Sequence, residues 1–282
     1  MNYSQRAERV LQRINELAEI SENKNCIART YGTRAFVAAR NRVEHWMKEA
    51  GLRTFVDNIG NIRGSIVSAE PGAKTFVIAS HIDTVINAGR FDGVLGVLAG
   101  IEILEHITHS KITLPFHIEL VGFCDEEGCR FHTAYLGSKS LAGSFDTGTL
   151  SLKDATGISL GEVIRENGGD LRALDKDVIA RKDWLGYLEI HIEQGPVLYE
   201  KNIPVGLVKA IAGQYRINIH FYGEAGHAGT VPMHMRRDAL ACTAEFVLET
   251  EKFARDQPGG LVATIGKMHI PHAAGNVIPG EV

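Results

Sequence analysis

Cysteine is scarce in this sequence and is not arranged for metal or redox work. Only Cys26, Cys124, Cys129 and Cys242 occur in 282 residues, and no two form a C-x-x-C pair. That excludes a zinc finger or dithiol motif, and free thiols in a reducing compartment are the simplest reading. Long apolar runs are also missing. The longest, Val94 to Leu104, is interrupted by Glu102 and is too short to cross a bilayer. The N-terminal MNYSQRAERVLQRINELAEI scatters its charges and lacks the apolar centre of a signal peptide. There is no excess of positive charge: 30 Lys and Arg stand against 34 Asp and Glu, a net charge of −4. Phosphate contact needs a basic face, so nucleic-acid binding is not expected. Membrane insertion is not expected either, and the cytoplasm is the expected location.

What is present fits a globular protein. Hydrophobic residues make up 44% and charged residues 23%, enough for a good core at this length. Val10, Leu11, Ile14, Leu17 and Ile20 stand at helical spacing. A second helix is predicted over Thr33–Ala50, stopped by Gly51. Leu52–Asp57 and Asn61–Val67 read as strands around the turn Asn58-Ile59-Gly60. Thr75–Ser80 (TFVIAS) reads as a buried strand, Gly93–Ile107 as a helix apolar on most sides, and Phe116–Cys124 as another strand. The polar stretch Gly143–Asp183 carries weaker helical signals and is expected to cover an edge. Tyr187–Ile192 is expected as a third core strand. Strand, helix and strand alternate, which predicts an α/β fold with helices on both faces. The character changes near residue 210. There Tyr215–Tyr222 and Leu261–His269 read as strands and Arg236–Ala254 as an amphipathic helix. Two domains are expected, 1–209 and a smaller α+β domain, 210–282.

Four short motifs carry the chemistry, each where a strand ends or a helix begins. In open α/β sheets, ligands gather outside the carboxyl ends of strands. In Ser80-His81-Ile82-Asp83, His81 and Asp83 point to one face of an extended chain. A ligand imidazole gives its second N–H to an acceptor, so the pair reads as ligand and orienter, or as a simple His-Asp pair. Asp92, at the mouth of the apolar helix, reads as an N-terminal cap or as a bridging carboxylate. Asp125, Glu126 and Glu127 follow an apolar strand, where adjacent acids repel unless a cation or proton offsets them. One of them suits a metal and the next a general base; a solvated acidic turn is the alternative. His191, among apolar neighbours in HIEQG, reads as a core histidine or as a fourth strand-end ligand. All the candidates are His or carboxylate, which suits Zn²⁺, Mn²⁺, Ni²⁺ or Co²⁺ in a hydrolytic site.

The stretches SHIDTVINAGRFDGVLGVLAG, DEEGCRF, LEIHIEQGPVL, GEAGHAGTVPM with RRDA, and GNVIPGEV resemble the M20-type amidohydrolases. HIEQG and AGHAGTVPM favour the branch of N-carbamoyl-L-amino-acid hydrolases and allantoate amidohydrolases. The resemblance implies a mixed-sheet, metallopeptidase-like catalytic domain with a smaller lid and dimerisation domain, incomplete here. It implies two divalent metal ions, a small-molecule ureido substrate and a homodimer formed through the lid.

Residue by residue, the resemblance makes His81, Asp92 and His191 ligands of one metal, with Asp92 bridging to a second that Glu127 also binds. Glu126 corresponds to the general base, and Asp83 to the residue that holds His81. His227 corresponds to a lid histidine at the oxyanion, and Gln194, Arg216 and Asn276 to substrate-binding positions. A cis peptide at Asp92-Gly93 is implied as well. The family continues beyond GNVIPGEV, where it supplies an arginine and a further metal-binding histidine. These residues alone are therefore expected to leave the second metal under-ligated, and a form that binds metal without turnover stays open. An aminoacylase, a dipeptidase or a ureidoglycolate hydrolase of the same architecture stays open too.

Overall fold

Capping side chains start the first two helices. In the computed structural model, which describes residues 2–282, α1 (Tyr3–Ala18) opens with a reciprocal pair. The Asn2 side chain accepts the Gln5 N–H, and the Gln5 side chain accepts the Asn2 N–H, both at 2.9 Å. In α2 (Arg34–Glu49) the Thr33 hydroxyl accepts the Phe36 N–H at 3.3 Å. Gly51, at φ 82°, takes the left-handed turn that ends the helix, as expected from sequence. The buried face of α2 is Phe36, Ala39, Val43, Trp46 and Met47.

Strands β1 (Arg53–Val56) and β2 (Ile62–Ile66) form an antiparallel hairpin. Its turn is held by Asp57, whose carboxylate accepts the N–H groups of Gly60 and Asn61. β3 (Thr75–His81), α3 (Val94–His109) and β4 (His117–Phe123) follow, and β3 pairs with β4 in parallel. After α4 (Leu136–Leu141) and α5 (Leu160–Glu166) comes β5 (Trp184–Glu189), also parallel to β3, and then α6 (Val197–Glu200). The sheet order is β1-β2-β4-β3-β5. It is a mixed sheet: β2 runs antiparallel to both β1 and β4, while β4, β3 and β5 are parallel, with β3 between β4 and β5.

The expected third core strand differs in place and in exposure. β5 begins at Trp184, ends at Glu189, and lies at the sheet edge with Leu185, Tyr187 and Leu188 between 43% and 49% exposed. Its pairing with β3 stops at Ala79↔Glu189, so the chain has left the ladder before His191. The polar stretch Gly143–Asp183 packs over the hairpin turn. Asn58 donates its N–H to Asp177 Oδ2 at 2.7 Å, and Leu160, Val163 and Ile164 of α5 join the core.

Helix α3 is buried on most sides, with Val97, Leu98, Ile101 and Leu104 at 0% exposure. Glu102, which interrupts its apolar run, is 5% exposed and is not stranded. α1 covers it with three guanidinium groups: Arg6 and Arg9 reach both Glu102 and Glu105, and Arg13 reaches Glu102 at 3.3 Å. Arg13 also stacks over Trp46 of α2, its guanidinium 5.1 Å from the ring centre.

Contacts divide the chain into Met1–Gly206 and Leu207–Val282. The second unit contains β6 (Gly226–His227), α7 (Ala239–Asp256) and β7 (Val277–Ile278), with β6 antiparallel to β7. α7 starts later than its periodicity predicts because Asp238 caps it, accepting the N–H groups of Leu240 and Ala241. The strands expected at Tyr215–Tyr222 and Leu261–His269 do not form. Only Tyr222 makes a bridge, to Glu281, while Tyr215, Ile217 and Val262 are 95%, 74% and 87% exposed. Alternation supplies a strand's faces, but a strand exists only where a neighbour answers its N–H and C=O groups. Among the described residues only the end of the first segment finds one, where Phe221 and Val282 exchange backbone hydrogen bonds.

Replacing Glu102 by Ala removes the carboxylate that meets three arginines in a nearly dry helix interface. We expect this to lower stability by about 3 kcal/mol, read as an earlier urea midpoint. A change below about 0.5 kcal/mol would show that solvent screens the cluster.

Candidate metal centre

The three parallel strands end side by side, and that alignment assembles the site. His81 is the last residue of β3, 2% exposed. Glu126 and Glu127 follow β4, His191 follows β5, and Asp92 lies just before α3. The His81 and His191 rings stack with centres 5.5 Å apart. Their Nε2 atoms are 3.3 Å apart, and Asp92 Oδ1 lies 3.3 Å from His191 Nε2 and 3.7 Å from His81 Nε2.

The hydrogen bonds at the far side of each ring define what these atoms can do. His81 Nδ1 lies 3.0 Å from the Asp83 carbonyl oxygen, and His191 Nδ1 lies 2.9 Å from that of Ile192. A carbonyl only accepts, so both Nδ1 atoms carry protons and donate. In the neutral rings both Nε2 atoms are then bare lone pairs, facing each other and a carboxylate oxygen. That arrangement is repulsive without positive charge at its centre. Two nitrogen ligands at about 2.0–2.1 Å from a tetrahedral ion lie about 3.3–3.4 Å apart. The donor set and its spacing therefore fit a divalent cation. A second group, His81 with Glu126 and Glu127, also brings its ligand atoms within 4.8 Å of one another.

Where no cation is bound, a proton takes its part. Burial works against charge on His81, but the Asp92 hydrogen bond, then Asp83 and Glu126, outweigh it and raise the pKa from 6.5 to about 9. The hydrogen bond to His81 holds Asp92 below the usual carboxylate range. Burial pushes Glu126 and Glu127 up, opposed chiefly by His81.

Several expected roles change in detail. Asp92 does not cap α3: Gly93 occupies that position with no side-chain cap, and the Asp92 carboxylate instead accepts both contacts of the Gln194 amide at 3.1 and 2.9 Å. The implied cis peptide is absent; no cis bond occurs among the described residues, and Gly93 instead takes φ 68°. Asp83 meets His81 through its backbone carbonyl. Its carboxylate is 3.7 Å from His81 Nδ1 and accepts the N–H groups of Glu126 and Glu127 at 3.0 and 3.2 Å. The buried carboxylate therefore ties the acidic loop to the end of β3. Of the three consecutive acids only Glu126 and Glu127 face His81; Asp125, at φ 47°, turns inward and is 1% exposed.

In the second unit, His227 and Asn276 are brought together by β6 and β7, with the Ala228 N–H donated to the Asn276 carbonyl at 2.9 Å. His227 Nδ1 accepts the Gly229 N–H at 3.0 Å, which leaves the ring proton of the neutral form on Nε2. Arg216 sits in an exposed segment outside the strands. Sequence reasoning missed Arg29. It is 1% exposed and donates to the carbonyls of Leu17 and Ile82, and its charge faces Asp83. A lone arginine between two helices carries no sequence signal for this place.

A profile of the peptidase family M20/M25/M40 matches residues 77–280. The chain belongs to that family. Among M20 relatives it is 38% identical to an allantoate deiminase from Glycine max, aligned over 96% of this chain and 60% of the relative. It is also 38% identical to an N-carbamoyl-L-amino acid amidohydrolase from Geobacillus stearothermophilus, over 98% of this chain and 67% of the relative. A solved hydantoinase/carbamoylase family amidase from Burkholderia ambifaria superposes with a TM-score of 0.78 at 32% identity, covering 97% of this chain and 66% of that one. The chain thus spans about 60% of the soybean relative's length.

In the metal-free M20 chain, the stabilisation from charged His81 is complete below about pH 6.5 and lost as pH rises through about 9. A cation replaces that proton. The rise in melting temperature on adding Zn²⁺ should therefore grow between pH 6.5 and pH 9. Thermal melts across this window check it, and a shift that stays flat would contradict the exchange of proton for cation.

Proposed function

We propose that the protein carrying this chain hydrolyses a linear C–N bond of a ureido substrate, an N-carbamoyl-L-amino acid or an allantoate-type molecule, and releases ammonia. The observation that supports this most is the meeting of three lone-pair donors, His81, Asp92 and His191, within 3.3–3.7 Å. The names of the soybean and Geobacillus relatives supply the substrate class. In this reading His81, Asp92 and His191 hold one divalent cation. Glu127, sharing Asp92, helps to hold a second. The all-nitrogen and oxygen donor set suits Zn²⁺, Mn²⁺, Ni²⁺ or Co²⁺.

When bound, the cations supply positive charge that acidifies water and polarises the scissile carbonyl. The chain's own groups carry the proton. Glu126 is the general base: its carboxylate takes the proton of the attacking water and returns it to the leaving nitrogen. Burial raises its pKa, towards the range in which a carboxylate can do both. The bond from its N–H to Asp83 fixes where that carboxylate starts from. His227, with its proton on Nε2, is the donor proposed for the developing oxyanion. Gln194, Arg216 and Asn276 are proposed to hold the substrate's polar groups and carboxylate. For a carbamoyl substrate, R–NH–CO–NH₂ and water become R–NH₂, CO₂ and NH₃.

The second unit is proposed as lid and dimer surface, supported by exposed apolar side chains such as Ile217, Leu248 and Phe253. A cytoplasmic location is part of the same reading. No helix among the described residues is long and apolar enough to cross a membrane.

Ammonia release from N-carbamoyl amino acids and allantoate, set against dipeptide cleavage, tests the substrate class. Cleavage of dipeptides without ammonia would replace the ureido reading by a peptidase one. Glu126→Gln should keep the metal content and lower turnover by roughly a hundredfold to ten-thousandfold; full activity would remove Glu126 from the mechanism. His227→Ala should lower kcat by about a hundredfold to a thousandfold with metal content unchanged.

A further inference from the structure

The first turn of α3 presents two glycines three residues apart, Gly93 and Gly96, on one face of the helix. Each lies against a chain segment that carries a candidate ligand. A Cβ built on Gly93 would lie 2.5 Å from the Cγ, Cδ2 and Cε1 atoms of the His81 ring. A Cβ built on Gly96 would lie 2.0 Å from the Ile190 carbonyl oxygen and 2.7 Å from the Ser80 Cβ. Real Cβ atoms essentially never approach closer than 3.0 Å. The residues touched at Gly96 are the immediate neighbours of both histidines: Ser80 precedes His81, and Ile190 precedes His191.

Something must therefore move if Gly96 gains a methyl group, and the packing determines what. α3 is locked against the sheet by Val97, Leu98 and Ile101, all at 0% exposure. Ser80 sits inside β3, paired with Gly122. The Ile190–His191 segment has no such hold. It follows the last ladder pair, Ala79↔Glu189, and His191 is partly exposed. A contact at 2.0 Å that must open to at least 3.0 Å displaces that carbonyl by about 1.0 Å. The His191 ring, one residue on, then leaves its place 3.3 Å from His81 Nε2.

We propose that Gly96 is a positioning residue: its bare backbone sets the distance between the two imidazole donors and so sets the affinity of the site for a divalent cation. This rests on the reading above, in which His81, Asp92 and His191 hold that cation. Gly100, one turn further along α3, supplies the contrast. A Cβ there would meet Leu120 Cδ1 at 2.4 Å, the end of a flexible side chain, and would touch β3 only at the Ile78 Cγ2 atom, at an ordinary contact distance of 3.4 Å and three residues from His81.

The experiment is a Co²⁺ titration of the metal-free protein, followed by the visible absorption of the bound ion, for wild type, Gly96→Ala and Gly100→Ala. Gly96→Ala is expected to weaken binding at least about tenfold, the scale on which lost support of a ligand weakens metal sites, and to alter the absorption band. Gly100→Ala is expected to lose thermal stability while keeping the wild-type affinity and band. Combined with His191→Ala, Gly96→Ala should cause little further loss, because both act through one ligand. Should Gly96→Ala not fold, Ile190→Gly is added to let the segment retreat, with Ile190→Gly alone as the reference; the tenfold difference is then expected between those two. Wild-type affinity and an unchanged band in Gly96→Ala, or additive losses in the double variant, would overturn the proposal. Absence of Co²⁺ binding by wild type would instead remove the metal reading on which it rests.

Discussion

Lone pairs on two imidazoles and a carboxylate cannot face one another at 3.3–3.7 Å without positive charge among them. Much of the rest of the first unit can be understood as the means of holding that unfavourable arrangement. β3 lies between β4 and β5 in parallel, so three chain segments end at the same edge of the sheet. Each histidine is then fixed from behind by a carbonyl, Asp83 for His81 and Ile192 for His191, which commits Nδ1 and turns Nε2 inward. α3 brings Asp92 to the same point, and it can come so near only because its first turn has no side chains on the facing side.

The acidic loop is held by a different device. Asp83 is 1% exposed, and its carboxylate accepts two consecutive N–H groups, those of Glu126 and Glu127. Burial raises its pKa, and the charge of His81 and these N–H groups offset that only in part. Arg29, buried behind it, adds positive charge without making an ion pair of its own. The loop that carries the proposed base is thereby tied to the strand that carries the central ligand, so base and ligand share one frame of reference. That matters for chemistry in which small misplacements are costly.

Some of this was readable in the amino-acid sequence and some was not. α2 could be bounded almost to the residue because its limits are local events, the Thr33 cap and the left-handed Gly51. β3 and β4 were readable because buried parallel strands are continuous apolar runs, and the polar residues that end them, His81 and Asp125-Glu126-Glu127, stand out by contrast. β5 was misplaced by three residues because it is an edge strand whose end is set by pairing with Ala79. The two lost strands of the second unit have the right alternation but no partner along most of their length, and a partner is a tertiary fact. Glu102 and Arg29 were opaque for the same reason. Each reads locally as a misfit, a charge in an apolar helix or a stray arginine, and each is explained by residues far along the chain, 93 positions away for Glu102 and Arg9 and 53 for Arg29 and Ile82. The family resemblance named His81, Asp92, His191, Glu126 and Glu127, which the structure brings together, while Asp83 meets His81 through its backbone carbonyl and not its carboxylate.

The acids at the strand ends outnumber the fixed positive groups near them. Five carboxylates gather at the strand ends: Asp83, Asp92, Asp125, Glu126 and Glu127. The fixed positive groups that act on them are Arg29, facing Asp83, and Arg130, facing Asp125. The pKa values of Asp83, Asp125, Glu126 and Glu127 are pushed up, with burial as the leading cause. In that state the glutamates are inclined to bind protons. A second ion near Glu127 would reverse that inclination and free Glu126 to act as a base at neutral pH. The rim of the sheet is thus charged so that its proposed catalytic carboxylate becomes most useful when positive charge lies beside Glu127.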